Sequence, residues 1–410
     1  MRKFFIFLIF LSCAKGVQDN KIKVTFWHAM GGPLGRTLEK LIDEFNEKND
    51  SIKVISVNMG NYNALSQKIM ASILSKKTPT IAQVYETWTT SLWNAKVIYP
   101  ADDFIKKDTI FMRELDDFFK VFIDDNTYDS IIVTLPFNKS VSAYFYNKDI
   151  FEKKGIKRFP ETYEEMMEVM RKLSSKDTLA TAFSITVGLF EQLLYSFGGR
   201  LLDEELKPIF DSEEGVKAIR YLQDMVFKYK VAKITTGYEH QDLFLSGKVC
   251  FIMGSSVSYS YLMRAQPDFR IGLAPMPKGK ERVVFIMGTN IAVFRNAKEK
   301  ERDAAWVFIK WFLSPEIQAR WAIATGYVPV RKSSFNTEIV RKKFEEEIEL
   351  KSIWEQLDYA VFEPTIPQWY IGRKLLSQIT LEPALKSDED PEKLLKLGKE
   401  EVLRAMQQEY

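Results

Sequence analysis

The chain has 410 residues, enough for two cores; 46% are hydrophobic and 13% aromatic, 30 of them Phe. Its 58 Lys and Arg face 55 Asp and Glu, and no long basic run stands among them. That near-neutrality gives no footing for nucleic-acid binding through phosphate contacts.

The first residues, MRKFFIFLIFLSCAKG, put two cations before an apolar run from Phe4 to Leu11. The run is too short to span a bilayer and reads as an export signal occupying residues 1–20. Ser12 before Cys13 marks a lipoprotein cleavage site; ordinary cleavage nearer Asp19 is the alternative. Either way the mature chain is expected to work outside the cytoplasmic membrane, in the periplasm or anchored through Cys13. Cys250 is then unpaired, and no disulfide scaffold is expected.

Lys21 to Phe26 alternates and then turns fully apolar, as a buried strand does. After Gly31, Gly32 and Pro33, apolar residues recur at Leu34, Leu38, Leu41, Ile42 and Phe45, one face of a helix. Ser51 to Val57 is a second strand, Leu65 to Leu74 a second helix, Thr80 to Tyr85 a third strand. This alternation predicts a parallel sheet covered by helices. The pattern returns with a strand at Ser142 to Tyr146, a helix at Tyr163 to Leu173 and a strand at Val249 to Met253. Gly254-Ser255-Ser256 is expected to open a helix. Strands follow at Ile271 to Pro277 and Val283 to Val293, then helices at Ala304 to Leu313 and Pro315 to Thr325, the last ended by Gly326. No linker separates two halves, so the chain is expected to cross between lobes several times.

Catalysis finds little support. His28 and His240 are the only histidines and neither stands in a metal-binding spacing. There is no GxSxG elbow and no P-loop, and among so many carboxylates no single pair stands out. No catalytic residue, metal or cofactor is therefore assigned. His28, in VTFWHAMGGP, reads as a hydrogen-bonded loop residue that shapes a rim where an open α/β sheet binds ligands.

The opening FWHAMGGPLGRTLEKLIDEFNEKN resembles that of the extracellular solute-binding proteins of bacterial ABC importers, and within them the group that binds glycerol phosphates. The resemblance runs in register through Gly60-Asn61-Tyr62, Gln83-Val84-Tyr85-Glu86, Pro136-Phe137-Asn138 and Tyr146-Asn147-Lys148-Asp149. It continues through Pro160-Glu161-Thr162-Tyr163, Gly254-Ser255-Ser256, Gly288 and Thr325-Gly326-Tyr327-Val328-Pro329. It implies a two-lobed α/β fold with an interlobe cleft and hinge crossovers. One lobe would hold residues 21–134 plus 283–325, the other 135–282 plus 326–410, with hinges near Leu135-Pro136 and Met276-Pro277.

The resemblance also implies a ligand set of Tyr62, Glu86, Ser140, Ser255, Gly288 and Tyr327. The chemistry suits it: a carboxylate accepts from a polyol's hydroxyls, a helix start holds an anion, and a glycine admits close backbone approach. Two departures from the family pattern stand out. The family's arginine follows a Pro-Gln pair closely, whereas Pro367-Gln368 leads here into Trp369-Tyr370, with Arg373 further on. The family's tryptophan after Pro-x-Thr is Tyr163 here. The implied ligand is sn-glycerol-3-phosphate or a related glycerophosphoryl compound; a sugar, stacked on Trp369 and Tyr370, is the alternative. A secreted carbohydrate-active enzyme is the remote one. The expected partners are the small ligand and the transmembrane subunits of an ABC permease, with no nucleic acid and a monomeric state.

Overall fold

Three strands open residues 20–408, the part of the chain that the computed structural model describes; the export signal and Cys13 lie outside the described residues. Strand β1 (Ile22–His28) runs parallel to β2 (Ile52–Asn58) and to β3 (Ile81–Val84). Helix α1 (Gly32–Lys48) joins the first two and buries Leu38, Leu41, Ile42 and Phe45, the stripe that its apolar spacing dictates. Helix α2 (Tyr62–Leu74) begins where the Asn61 side chain accepts from the Ala64 N–H, which satisfies one of the helix's free donors. Helix α3 (Glu86–Asn94) follows β3 with only Tyr85 between them, and the short β4 (Ile98–Tyr99) comes next. A two-stranded ribbon, β5 (Thr127–Tyr128) with β6 (Ile131–Ile132), stands apart.

The centre of the molecule is β7 (Leu135–Asn147), 13 residues long and buried at every position but Tyr146. Beyond it lie α4 (Tyr163–Leu173), β8 (Leu179–Ser184), α5 (Val187–Ser196), β9 (Ala232–Thr235) and β10 (Val249–Ser255). Then come α6 (Ser258–Ala265), β11 (Ile271–Ala274) and β12 (Val284–Phe294). Helices α7 (Glu299–Phe312) and α8 (Pro315–Thr325) follow, the latter stopped by Gly326 at φ 83°, a conformation glycine adopts without strain. The short β13 (Ala360–Val361) and α9 (Pro367–Leu375) come last among the elements used below.

One eleven-stranded sheet runs in the order β2-β1-β3-β12-β7-β10-β8-β9, with β11 on β7 and with β4 and β13 on β12. It is mixed rather than parallel throughout: β12 is antiparallel to both β3 and β7, and β7 is antiparallel to β10 and β11. Strand β7 serves both halves of this two-lobed fold. Its residues up to Val141 pair with β12, and from Ser142 onward they pair with β10. The change of partner thus falls at Val141/Ser142, and Pro136 is paired within the β12 side, opposite Asn290. Helices α7 and α8 return to the first half, packing on β1 and α1 respectively. There Arg320 grips Glu44 with both nitrogens, at 3.1 and 2.6 Å.

Two further readings meet the structure here. Gly254 and Ser255 end β10 instead of opening a helix; α6 starts only at Ser258. Cys250 is free and fully buried, and burial pushes its thiol up to about 11. No helix among the described residues is long and apolar enough to cross a membrane.

Candidate functional site

A cleft of about 720 Å³ opens between the two halves of the sheet. The start of α2 and the β3–α3 junction supply Tyr62, Tyr85, Glu86 and Trp88; β12 supplies Ile286 to Gly288; the β13–α9 segment and α9 supply Phe362, Glu363, Tyr370, Arg373 and Lys374. Asp125 lies on its floor. The arrangement follows from local rules. Strand β3 delivers the chain to the cleft, α3 begins at once, and Glu86 in its first turn sits where a helix favours negative charge. Gly288 is needed for a different reason: φ is +116°, and a Cβ there would lie 1.9 Å from the carbonyl oxygen of Asn138. Only glycine lets β12 run this close to β7.

Of the residues singled out in the sequence, Tyr62, Glu86, Gly288, Tyr370 and Arg373 line the cleft. Tyr327 stands behind it. Its ring is buried and stacked on Trp321, and its hydroxyl accepts from Asn138 Nδ2 at 2.7 Å. The same hydroxyl lies next to that of Tyr62, which in turn neighbours Tyr85. Burial, reinforced by these neighbours, holds the Tyr85 and Tyr327 phenols above their ordinary range. Ser140 is buried within β7 opposite Met287, outside the cleft wall.

Three expectations are corrected. Trp369 cannot stack on a ligand: it is fully buried, and its indole N–H points to Glu363 Oε2 at 3.4 Å. The helix that carries it turns its neighbour Tyr370 outward instead, 63% exposed. Tyr163 is likewise a core residue, 1% exposed, with its ring against Phe197 and Tyr221. Ser255 offers no helix start to an anion, since its Oγ accepts from Val257 N–H in the turn that leaves β10.

The strongest electrostatic feature escaped the sequence reading. Lys139 is completely buried in β7, and its ammonium donates to Asp125 Oδ2 at 2.6 Å and to Glu86 Oε1 at 3.0 Å. Burial works against the ammonium, but the two carboxylates together hold its pKa above the ordinary value. Burial raises Asp125 to about 6 despite Lys139. One oxygen of Asp125, Oδ1, has no hydrogen-bond partner among the described residues. The signal available beforehand was a lysine inside a segment otherwise fit for burial.

A second charged group surrounds Arg373. Its Nη2 lies 3.2 Å from Glu363 Oε1, its Nε has no partner among the described residues, and the side chain is half-exposed. Glu191, from α5, is wholly buried with neither carboxyl oxygen partnered among the described residues. Burial, then the nearby Glu363, lifts its pKa well above the carboxylate range.

His28 takes no part in the cleft. Its Nδ1 accepts from the Met30 N–H at 3.1 Å, so Nε2 carries the proton and meets Ser56 Oγ at 2.7 Å; Ser56 donates in turn to Glu39. Burial lowers its pKa to about 4. The neutral ring ties the loop after β1 to β2. No group of three or more potential metal-ligating side chains occurs among the described residues.

Comparison with known proteins places this geometry. Residues 40–347 match the family model described as bacterial extracellular solute-binding protein. The sn-glycerol-3-phosphate-binding periplasmic protein UgpB of Escherichia coli O1:K1 / APEC is 28% identical over 336 residues, 76% of this chain and 75% of that protein. UgpB of Pectobacterium atrosepticum is 25% identical over 334 residues, 76% and 74% of the two chains. Among solved structures, UgpB from Mycobacterium tuberculosis in complex with glycerophosphocholine superposes with a TM-score of 0.84 at 18% identity, covering 94% of this chain and 98% of the other. Maltose-bound MalE3 of T. maritima does so with a TM-score of 0.79 at 22% identity, covering 93% and 98%.

Proposed function

We propose that this chain, which belongs to the bacterial extracellular solute-binding proteins, captures a glycerophosphoryl compound, sn-glycerol-3-phosphate or a near relative. It holds the solute without chemical change and hands it to the transmembrane subunits of an ABC importer. The observation that carries this reading is Arg373. It lines the same cleft as Glu86 and Tyr62, and among the described residues its guanidinium has one ion-pair partner, Glu363, and an Nε without a hydrogen-bond partner. A guanidinium in that state is a ready donor to a phosphate, and charge-assisted bonds of this kind are the strong ones. The glycerol hydroxyls then fall to Glu86 and the tyrosines, and Gly288 keeps the floor of the cleft low. The curated relatives support the same ligand class.

A sugar is the second reading, and the charge of the wall favours it. Glu86, Asp125, Glu363 and Glu382 outnumber Arg373 and Lys374 around the cleft, and Tyr62, Tyr85, Trp88 and Tyr370 offer ring faces. A thermal-shift screen against glycerol phosphates, glycerophosphodiesters and sugars separates the two, because a ligand bound only by the native state raises its melting point. Calorimetry on Arg373→Ala then decides. The glycerophosphoryl reading expects a loss of about one to two orders of magnitude in phosphate affinity. If phosphate affinity survives that change and sugars bind, the sugar reading replaces it.

A further inference from the structure

Glu86 cannot be the whole of a hydroxyl-recognition site. Its Oε1 is engaged by Lys139 at 3.0 Å, which leaves Oε2 as its freer acceptor. A 1,2-diol brings two donors. The floor of the cleft holds a second carboxylate, Asp125, tied to the same ammonium through Oδ2 at 2.6 Å. Its other oxygen, Oδ1, is buried with no hydrogen-bond partner among the described residues. An ionised carboxylate oxygen left unpaired in a dry site is costly, and a solute hydroxyl is the natural group to supply the missing bond.

We propose that Asp125 and Glu86, yoked by the buried Lys139, form a twin-carboxylate subsite that selects ligands carrying adjacent hydroxyls. Asp125 is the specificity-determining member, and Lys139 is a positioning residue that holds both carboxylates in place. This rests on the cleft being the solute site, and it names what the polar end of the solute must carry. The surroundings of Asp125 agree. Asn126 Nδ2 and Asn290 Nδ2 both approach Oδ2, at 3.4 Å, and neither bonds to Oδ1. The Tyr128 hydroxyl is turned to the Glu86 carbonyl at 3.3 Å and does not serve the carboxylate. Lys139 already spends donors on both acids, so the subsite carries one net negative charge. It therefore repels a phosphate and orients the solute with its phosphate toward Arg373.

The test compares sn-glycerol-3-phosphate with 3-hydroxypropyl phosphate, which lacks the adjacent hydroxyl, by calorimetry on the full mature chain and on Asp125→Asn. A parallel arm compares ribitol with 1,3,5-pentanetriol, a deoxy analogue with no adjacent hydroxyls. The wild type is expected to prefer the diol by about tenfold or more, the value of one buried hydrogen bond. Asp125→Asn should shrink that preference to within about threefold. An unchanged preference in Asp125→Asn overturns the proposal. Equal wild-type affinity for diol and deoxy ligands overturns it without any variant, so a misfolded variant does not shelter it. Loss of all phosphate binding with a retained ribitol preference overturns the glycerophosphoryl reading and supports the subsite; no binding in either arm overturns both.

Discussion

Tyr327 and Trp321 stack with ring planes 9° apart and centroids separated by 5.6 Å. The stack fixes the phenol so that its hydroxyl meets Asn138 Nδ2 at 2.7 Å, while Asn138 Oδ1 takes bonds from Gln83 at 3.0 Å and from Thr289. Tyr327→Phe leaves the Asn138 amide donor unpaired in a buried place and should cost roughly 1–3 kcal/mol of stability. Solute affinity should fall less than tenfold, since the phenol reaches the cleft only through Tyr62. Urea unfolding and calorimetry on the same preparation check both; an affinity loss with unchanged stability would mean that Tyr327 touches the solute directly.

Lys139→Met removes the cation that bridges Asp125 and Glu86. Breaking a buried ion pair from one side typically costs about 3–5 kcal/mol, and unfolding at pH 7 should show a loss of that order. The pH dependence of stability should then steepen. Burial already lifts Asp125 to about 6 with the lysine present, and without it the carboxyl is held higher still. An acid whose folded pKa is raised binds protons more readily when folded, so acidification relieves its penalty. The variant should therefore regain stability relative to wild type as pH falls from 7 toward 5. A gap that stays constant across that range counts against this account.

His28 predicts an acid-side loss of stability. Its folded pKa is lowered from 6.5 to about 4, so the unfolded chain takes up a proton first, and stability declines as pH falls from 6.5 toward 4. The full shift corresponds to on the order of 3 kcal/mol. His28→Asn should start less stable at pH 7, because it breaks the tie to Ser56, yet should show a flatter profile through that window. Parallel thermal melts of the two proteins at half-unit pH steps make the comparison.

Trp369→Ala separates core from cleft. The indole is fully buried, and its removal should cost about 3–5 kcal/mol. Affinity of the protein that remains folded should stay within about threefold of wild type. Abolished sugar binding in a protein of unchanged stability would restore the stacking role that the geometry denies it.

The parts of the fold that were legible in the sequence are those in which local signals agree. Helix α8 runs from Pro315 to Thr325 as read, because a proline suits the first turn and Gly326 adopts the left-handed stop. Helix α4 begins at Tyr163 because the Thr162 side chain caps it. Strand β7 was seen only in its second half. Pro136, Asn138, Lys139 and Ser140 break the apolar pattern, yet all are buried, satisfied by partners remote in sequence. Lys139 and Asp125 were missed for the same reason: a buried charge is recognisable only once its counter-charge is in place. The ring wall fared similarly. Adjacent residues Trp369 and Tyr370 lie on different faces of α9, and residue type alone does not say which is turned inward.

Strands β7 and β12 also constrain how the molecule comes into being. The first half of the sheet needs β12 beside β3, and β12 ends at Phe294, long after Val84 has left the ribosome. Neither half can close on itself from a contiguous stretch of chain. Such distant pairings fold slowly, so the nascent polypeptide stays open until much of it has been synthesised. For a protein of an extracellular family this delay is an advantage: a chain that has not yet folded is one that can still be threaded across a membrane.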